Sequence, residues 1–404
     1  MPAPPSVSLK AALLGLNLSA ALLLAGCGGS GNDPVVAVPQ VTQLSPLAQL
    51  GEKIFNDTSL SSSGQLSCAT CHDQNHAFAS ADNLAVPRGG ATLNSPGTRN
   101  APSLKYLFET TSFFFDGEGT PTGGMNRDGR AKDFAEQASR PFIAANEMAN
   151  GSAAAVVAKL SVASYVADIQ TLFGPLVFND SDQAFLDARL ALQAFERESV
   201  QFAPFSSKYD FFLAGKATFT AQELRGLTLF NNPVKGNCAG CHPSGTRAGG
   251  LPPLFTDFTY DNLGVPRNAE IPANADPDYF DLGLCGPART DLAADHGDLC
   301  GAFKVPTLRN VQLTAPYFHN GKFATLKQLV EFYVRRDTNP EEFYPIGGNG
   351  QPRKFDDLPP QYAANVNSTE VPYNRQLGDT PALTPAEIDD VVVFMNTLTD
   401  GYNP

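Results

Sequence analysis

Tryptophan is missing from this 404-residue chain, so no indole is available as an oxidisable relay. Basic residues are scarce: 28 Lys and Arg against 41 Asp and Glu leave a formal charge of −13. That balance disfavours nucleic acid and suits a small basic partner protein, although acidity also serves solubility alone. Histidine is confined to five positions, His72, His76, His242, His296 and His319, so any histidine ligand set is short. Of four methionines only Met395 follows His242. Beyond the first 26 residues no apolar run is long enough to cross a bilayer. Strand-like alternation is rare, which excludes a mainly β architecture.

What is present begins with an export signal. Lys10 is the only charge before an apolar run, Ala11 to Ala25, too short for a stable span. The run ends in Leu24-Ala25-Gly26-Cys27, which looks like a lipobox with Cys27 as the lipid-modified first residue of the mature protein. An ordinary cleaved signal with an incidental cysteine is the alternative. Gly28-Gly29-Ser30-Gly31 suits a flexible tether. Residues 1–26 are therefore expected to be a signal peptide and 27–46 a tether. The protein would be periplasmic and held by lipid alone, with the outer membrane as the favoured location.

Two pentapeptides carry the chemistry: Cys68-Ala69-Thr70-Cys71-His72 and Cys238-Ala239-Gly240-Cys241-His242. Cys-x-x-Cys-His is the attachment signature of a c-type haem, with both thiols bound to the porphyrin edge and the histidine under the iron. A redox dithiol or half a zinc site is the rival reading. The adjoining histidine and the duplication both favour haem. Seven cysteines minus four for haem and one for lipid leave Cys285 and Cys300. An oxidising compartment favours their pairing, worth about 3 kcal/mol, over two free thiols.

A loose repeat precedes the motifs. Gly51-Glu52-Lys53-Ile54-Phe55-Asn56 stands before the first and Gly226-Leu227-Thr228-Leu229-Phe230-Asn231 before the second. Each reads as the end of an amphipathic helix. Thr220 and Glu223 form a capping box for the second. Helical spacing recurs at 154–172, 183–202 and 324–334. A last helix starts at Thr384-Pro385-Ala386-Glu387 and presents Ile388, Val391, Val392, Met395 and Leu398 on one face. With 32 Pro and 35 Gly, long ordered loops should join the helices. The expected fold is mainly α: two cytochrome c-like domains, 47–204 and 205–404, each with one covalent c-type haem.

Further runs carry a resemblance. They are Cys71-His72-Asp73-Gln74-Asn75-His76-Ala77-Phe78, Thr98-Arg99-Asn100-Ala101-Pro102-Ser103, Thr120-Pro121-Thr122-Gly123-Gly124 and Asp128-Gly129-Arg130-Ala131. Glu136-Gln137-Ala138, Asn146-Glu147-Met148, Phe303-Lys304-Val305-Pro306-Thr307-Leu308-Arg309-Asn310 and Thr314-Ala315-Pro316-Tyr317-Phe318-His319-Asn320-Gly321 complete the set. In this order they resemble the bacterial di-haem cytochrome c peroxidase and MauG superfamily over about residues 47–400. The resemblance implies that His72 ligates the peroxide-reacting iron and His242 the second iron. It places Gln137 and Glu147 in the distal pocket, with Glu147 as acid/base and Gln137 orienting peroxide or water.

The resemblance also frames the remaining ligands. Many such peroxidases carry a histidine after the first haem motif that caps the iron until reduction. Here only His76 lies between His72 and Arg99, four positions from the proximal ligand and on the wrong side of the ring. His76 is expected to be a structural hydrogen-bonding residue and the first iron to be open. Val86-Pro87-Arg88-Gly89-Gly90-Ala91-Thr92 offers no substitute. At the second iron the family has Met or, in MauG, Tyr, and Tyr333 falls at that position by count. A phenolate favours ferric and higher-valent iron. Met395 reads as core. A calcium ion is implied at Asn100 and the carbonyls of Thr314 and Pro316. The family's Trp between the haems is replaced by Arg127. Phe113-Phe114-Phe115 would be harder to oxidise.

The leading expectation is reduction of hydrogen peroxide with electrons from a small cytochrome c or cupredoxin. A MauG-like enzyme would instead oxidise residues of a partner protein through high-valent iron. A non-catalytic di-haem electron carrier is the reading from another class. A homodimer is an expectation from the family.

Overall fold

The computed structural model describes residues 43–404. The lipobox Cys27 and the signal lie outside them. Eleven helices run through the described chain: α1 (Pro46–Asn56), α2 (Cys68–Cys71), α3 (Phe134–Gln137), α4 (Ser139–Ile143), α5 (Ala153–Leu160), α6 (Val166–Phe173), α7 (Ser181–Glu198), α8 (Lys208–Leu213), α9 (Ala221–Asn231), α10 (Leu326–Arg335) and α11 (Pro385–Asn396). The strands are two-residue antiparallel pairs: β1 (Arg88–Gly89) with β2 (Ser95–Pro96), β3 (Phe114–Phe115) with β4 (Pro121–Thr122), and β5 (Tyr260–Asp261) with β6 (Phe303–Lys304). No helix among the described residues is long and apolar enough to cross a membrane.

The repeat before each haem motif has a packing reason. Gly51 lets α1 lie directly on α7, since a Cβ there would stand 1.9 Å from the Ala191 carbonyl oxygen. Gly226 does the same for α9 on α11, where a Cβ would stand 2.1 Å from the Asp390 oxygen. Four residues on, Phe55 and Phe230 are buried in their cores. Gly226→Ala should force the two helices apart and cost about 1–3 kcal/mol of stability in chemical denaturation, the usual range for overpacking.

Two hydrophobic cores result. The first joins α1, α5, α6 and α7, with Phe55, Phe78, Phe195 and Phe202 in mutual aromatic contact. The second joins α8 to α11 around Tyr209, Phe230, Phe255 and Phe394. Capping boxes start α9 at Thr220/Glu223 and α11 at Thr384/Glu387. The halves are tied by buried polar links. Asp400 accepts from Tyr106 Oη at 2.7 Å and from Asn310 Nδ2 at 2.6 Å.

Three expectations are adjusted. The helical stretch at 154–172 is two helices, α5 and α6, separated by a turn over 161–165. The stretch at 183–202 is α7 to Glu198 and then a short 3-10 turn, Val200–Phe202. The end of the presumed tether already belongs to the fold. Ser45 caps α1, and its N–H and Oγ both donate to the Glu198 carboxylate, at 2.8 and 2.9 Å.

Candidate active site

Each Cys-x-x-Cys-His closes in the same way. The His72 N–H donates to the Cys68 carbonyl at 2.9 Å, and the His242 N–H to that of Cys238 at 2.9 Å. Each imidazole is then anchored from behind. His72 Nδ1 lies 2.9 Å from the Phe78 oxygen and His242 Nδ1 lies 2.8 Å from the Phe255 oxygen. Phe78 and Phe255 both adopt left-handed backbone, φ 56° and 55°, which aims these carbonyls. A carbonyl at Nδ1 fixes the proton there and leaves Nε2 as a free donor for a metal. Burial pulls both imidazoles below their usual pKa, so they are neutral and ligand-ready.

The thiols do not behave as a redox pair. Burial, with Glu196 and Cys71 adding to it, pushes Cys68 up to about 12. Burial, then Glu147 and Asp82, pushes Cys71 up to about 11. Burial raises Cys238 and Cys241 to about 12. A catalytic dithiol needs a lowered pKa. Among the described residues no group of three or more His, Cys, Asp and Glu converges as a metal site, so the half-zinc reading finds no partner ligands.

Gln137 ends α3 half-buried, and Glu147 sits in the loop after α4, close enough to Cys71 to raise its thiol. The Glu147 backbone is held by Gly90, whose N–H donates to the Glu147 carbonyl at 2.7 Å. Gly89 packs against the same loop; a Cβ there would meet the Asn146 oxygen at 2.4 Å. The loop that lacks a capping histidine thus serves to hold Glu147. Burial raises the Glu147 carboxyl above the ordinary range, while Arg140 and Arg130 partly oppose this. Its Oε2 is buried with no hydrogen-bond partner. An orphaned carboxyl oxygen beside Cys71 fits a pocket in which a bound group completes it. His76 bonds Asp73 Oδ1 at 3.0 Å through Nδ1, a local structural contact.

Around the second motif lies a cavity of about 780 Å³, within the usual range for cofactor sites. His242, Cys238, Cys241 and Tyr333 line it together. The Tyr333 ring stacks on Phe318, centroids 5.8 Å apart, and its phenol is pushed up by burial and then by Cys241, Asp261 and Cys238. Met395 is buried in the second core and also touches this cavity. The residues fit a haem at both motifs: anchored imidazoles and paired thiols at each, an orphaned carboxyl at the first and a cavity at the second.

Between the motifs the cavity reaches Asn100, Arg127, Lys304, Thr314 and Pro316. Arg127 NH2 donates to Asn100 Oδ1 at 2.9 Å and its Nε to the Asn100 carbonyl at 3.1 Å. Burial, then Arg99, pulls Arg127 down to about 10. Phe113 and Phe115 pack on Tyr260 and His296. Tyr260 and Phe303, not the Phe113–Phe115 run, are the cavity's aromatics on this side. Cys285 and Cys300 are joined in a disulfide.

One residue escaped the sequence reading. Glu196, on the buried face of α7 one turn after Leu192, is 7 % exposed, with Oε2 unpartnered, beside Cys68. A carboxylate on an otherwise apolar helical face was the available signal. Burial raises it to about 8. Below about pH 4.5 it is protonated folded and unfolded alike. As pH rises toward 8 the unfolded chain ionises and the folded one resists, so folding loses stability across that window. Glu196→Gln should remove the loss. Its stability advantage in denaturant titrations should grow from pH 5 to pH 8, by on the order of a few kcal/mol.

The family model for di-haem cytochrome c peroxidases matches residues 45–218, which contain the first motif. The second half rests on full-length relatives. MauG, the methylamine utilization protein of Paracoccus denitrificans, is 36 % identical over 89 % of this chain and 90 % of its own length. Cytochrome c551 peroxidase of Nitrosomonas europaea is 32 % identical over 83 % of this chain and 86 % of its own. The crystal structure of the diheme peroxidase BthA from Burkholderia thailandensis superimposes with a TM-score of 0.81 at 41 % identity, covering 89 % of this chain and 87 % of that one. With two matching haem motifs and this identity along most of its length, the chain belongs to the di-haem cytochrome c peroxidase family of oxidoreductases.

Proposed function

We propose that this chain is an exported peroxidase with two covalent c-type haems, bound through Cys68/Cys71/His72 and Cys238/Cys241/His242. They occupy cytochrome c-like domains at 47–204 and 205–404. The observation that carries the reading is the matched pair of Nδ1–carbonyl bonds, which turns both histidines into preset Nε2 donors. Export, lipid attachment at Cys27, a periplasmic location and homodimer formation belong to the same proposal.

Each turnover consumes one peroxide, two protons and two electrons and releases two waters. A haem held by Cys68, Cys71 and His72 would supply the redox chemistry that accepts the oxidising equivalents of peroxide. The chain's residues handle the protons. Glu147 takes the proton from one oxygen of peroxide and returns it to the other, which leaves as water. Gln137 orients the peroxide. Burial raises the Glu147 carboxyl above the ordinary range, which suits it to exchange a proton with peroxide. Electrons from a small cytochrome c or cupredoxin enter through the second site, and the chain's net charge of −13 suits a basic donor.

A second reading is MauG-like oxidation of a partner protein, favoured by Tyr333 sharing the His242 cavity. A phenolate on that iron would hold its potential low. A non-catalytic carrier would need a donor on the first iron's open side, and the Arg88–Gly89–Gly90 segment supplies only backbone packing. Mass spectrometry of the denatured chain tests attachment: two haem masses should persist after acid extraction. Tyr333→Phe should abolish any tyrosinate-to-iron charge-transfer band and raise the second potential in a redox titration. An unchanged spectrum and potential would remove Tyr333 from the ligand set.

A further inference from the structure

We propose that the Arg127 guanidinium takes the place of a bound calcium ion in this chain, so that the protein needs no calcium to hold its two halves in register. The family implies an ion on Asn100 and the carbonyls of Thr314 and Pro316, and these residues do face one cavity. The donor set does not fit an ion. Asn100 is 4 % exposed, and both of its oxygens already accept from Arg127, at 2.9 and 3.1 Å. Its N–H is spent on the His319 carbonyl at 2.7 Å, so the residue cannot turn to offer another face.

The guanidinium is built in rather than swung in. The Arg127 carbonyl accepts from the Lys304 N–H at 2.8 Å, and Asn126 before it takes left-handed backbone at φ 66°. Across the same loop, the Met125 N–H donates to the Ala131 carbonyl at 2.7 Å. A planar fork fixed in this way offers two donors to one residue's two oxygens, which is the bidentate geometry that favours arginine.

The surroundings oppose a second cation. Calcium takes six to eight oxygens and draws on carboxylates. The nearby carboxylates are committed. Asp281 receives Arg99 at 2.6 and 2.7 Å, and Asp128 receives Arg99 at 2.7 Å and Arg130 at 2.6 Å. Arg99, Arg127, Arg130 and Lys304 thus share Asp128 and Asp281 as their carboxylate neighbours, while Asp357 on the same cavity wall is held by Arg267 at 3.1 Å and Asn320 at 3.2 Å. A divalent ion added here would meet like charge and two carbonyls.

The test uses the diferric holoprotein and calcium chloride, with readouts that do not depend on peroxide turnover. The wild type should contain well below one calcium per chain by elemental analysis. It should give no binding heat with calcium, and chelation by EGTA should leave its haem spectrum and thermal midpoint unchanged. Stoichiometric calcium, or a spectral and midpoint shift on chelation, would overturn the proposal. Arg127→Gln frees the Asn100 oxygens and should bind calcium about tenfold or more tightly than the wild type, with the midpoint rising on addition. A variant with the wild-type haem spectrum that gains no calcium affinity would overturn the assignment of these oxygens as a cation site. If the variant does not fold, the wild-type measurements decide.

Discussion

Glu147→Gln should leave the haem spectrum and the stability of the protein nearly unchanged and slow its reaction with hydrogen peroxide by about 10²–10⁴-fold, the usual contribution of a positioned acid/base. The substitution keeps the shape of the side chain and the backbone contact from Gly90. It removes only the ionisable carboxyl, and with it the capacity to accept and return a proton. The wild-type rate should also carry a pH limb that the variant lacks. Glu147 must be ionised to accept the first proton, and burial has raised its pKa above the ordinary range. The rate should therefore fall, as pH drops, at a pH higher than an exposed glutamate would give. Single-turnover stopped-flow absorbance across pH measures both. A Glu147→Gln variant that reacts at the wild-type rate would move the acid/base role elsewhere, with water held by Gln137 as the next candidate.

Arg309→Met should cost about 3–5 kcal/mol of folding stability, the range for stripping one partner from a buried ion pair. Arg309 is almost wholly buried and grips Asp210 with two bonds, at 2.9 and 2.8 Å. Its Nε donates to the Pro253 carbonyl at 2.7 Å. The guanidinium also lies between the rings of Tyr106 and Phe205, at 4.7 and 4.6 Å, so it joins residues from both halves. Removing it leaves the Asp210 charge buried, with Ser207 as its remaining donor at 2.6 Å. The Arg309→Met/Asp210→Leu double variant should recover much of the loss, because no unpaired charge remains. Urea titration of the holoprotein gives the three values. Equal losses in the single and double variants would show that packing of the long side chain, not charge pairing, is the main contribution.

Much of this was legible in order along the chain. The Cys-x-x-Cys-His motifs, the Gly-x-x-x-Phe-Asn repeats and the capping boxes are short-range patterns whose geometry is set within a helix turn or two. The repeats even state their packing, since a glycine and a phenylalanine four residues apart mark the contact face of each helix. The helix expected over 154–172 divides in two because its apolar spacing continues across a turn at Ser161–Tyr165, where Val162 is left exposed. What sequence could not show is pairing across long separations. Arg99 with Asp281, Arg309 with Asp210, and Arg127 with Asn100 join residues 182, 99 and 27 positions apart. Each charged residue alone reads as solvated surface. The replacement of Trp by Arg127 was visible as a departure, but its partner was not. The identity of that partner turns a missing relay into a tethered cation.

In the resting protein the first iron site is expected to be open to peroxide. Stopped-flow mixing of the as-isolated diferric protein with hydrogen peroxide, followed by a second push of reduced small cytochrome c, tests it most directly. A fast change in the haem spectrum on the first push and oxidation of the cytochrome on the second, without prior reduction, are the expected results. A spectral change without cytochrome oxidation would shift the reading to oxidation of another protein partner. No change until the protein is pre-reduced would contradict the claim and require a capping ligand on the first iron.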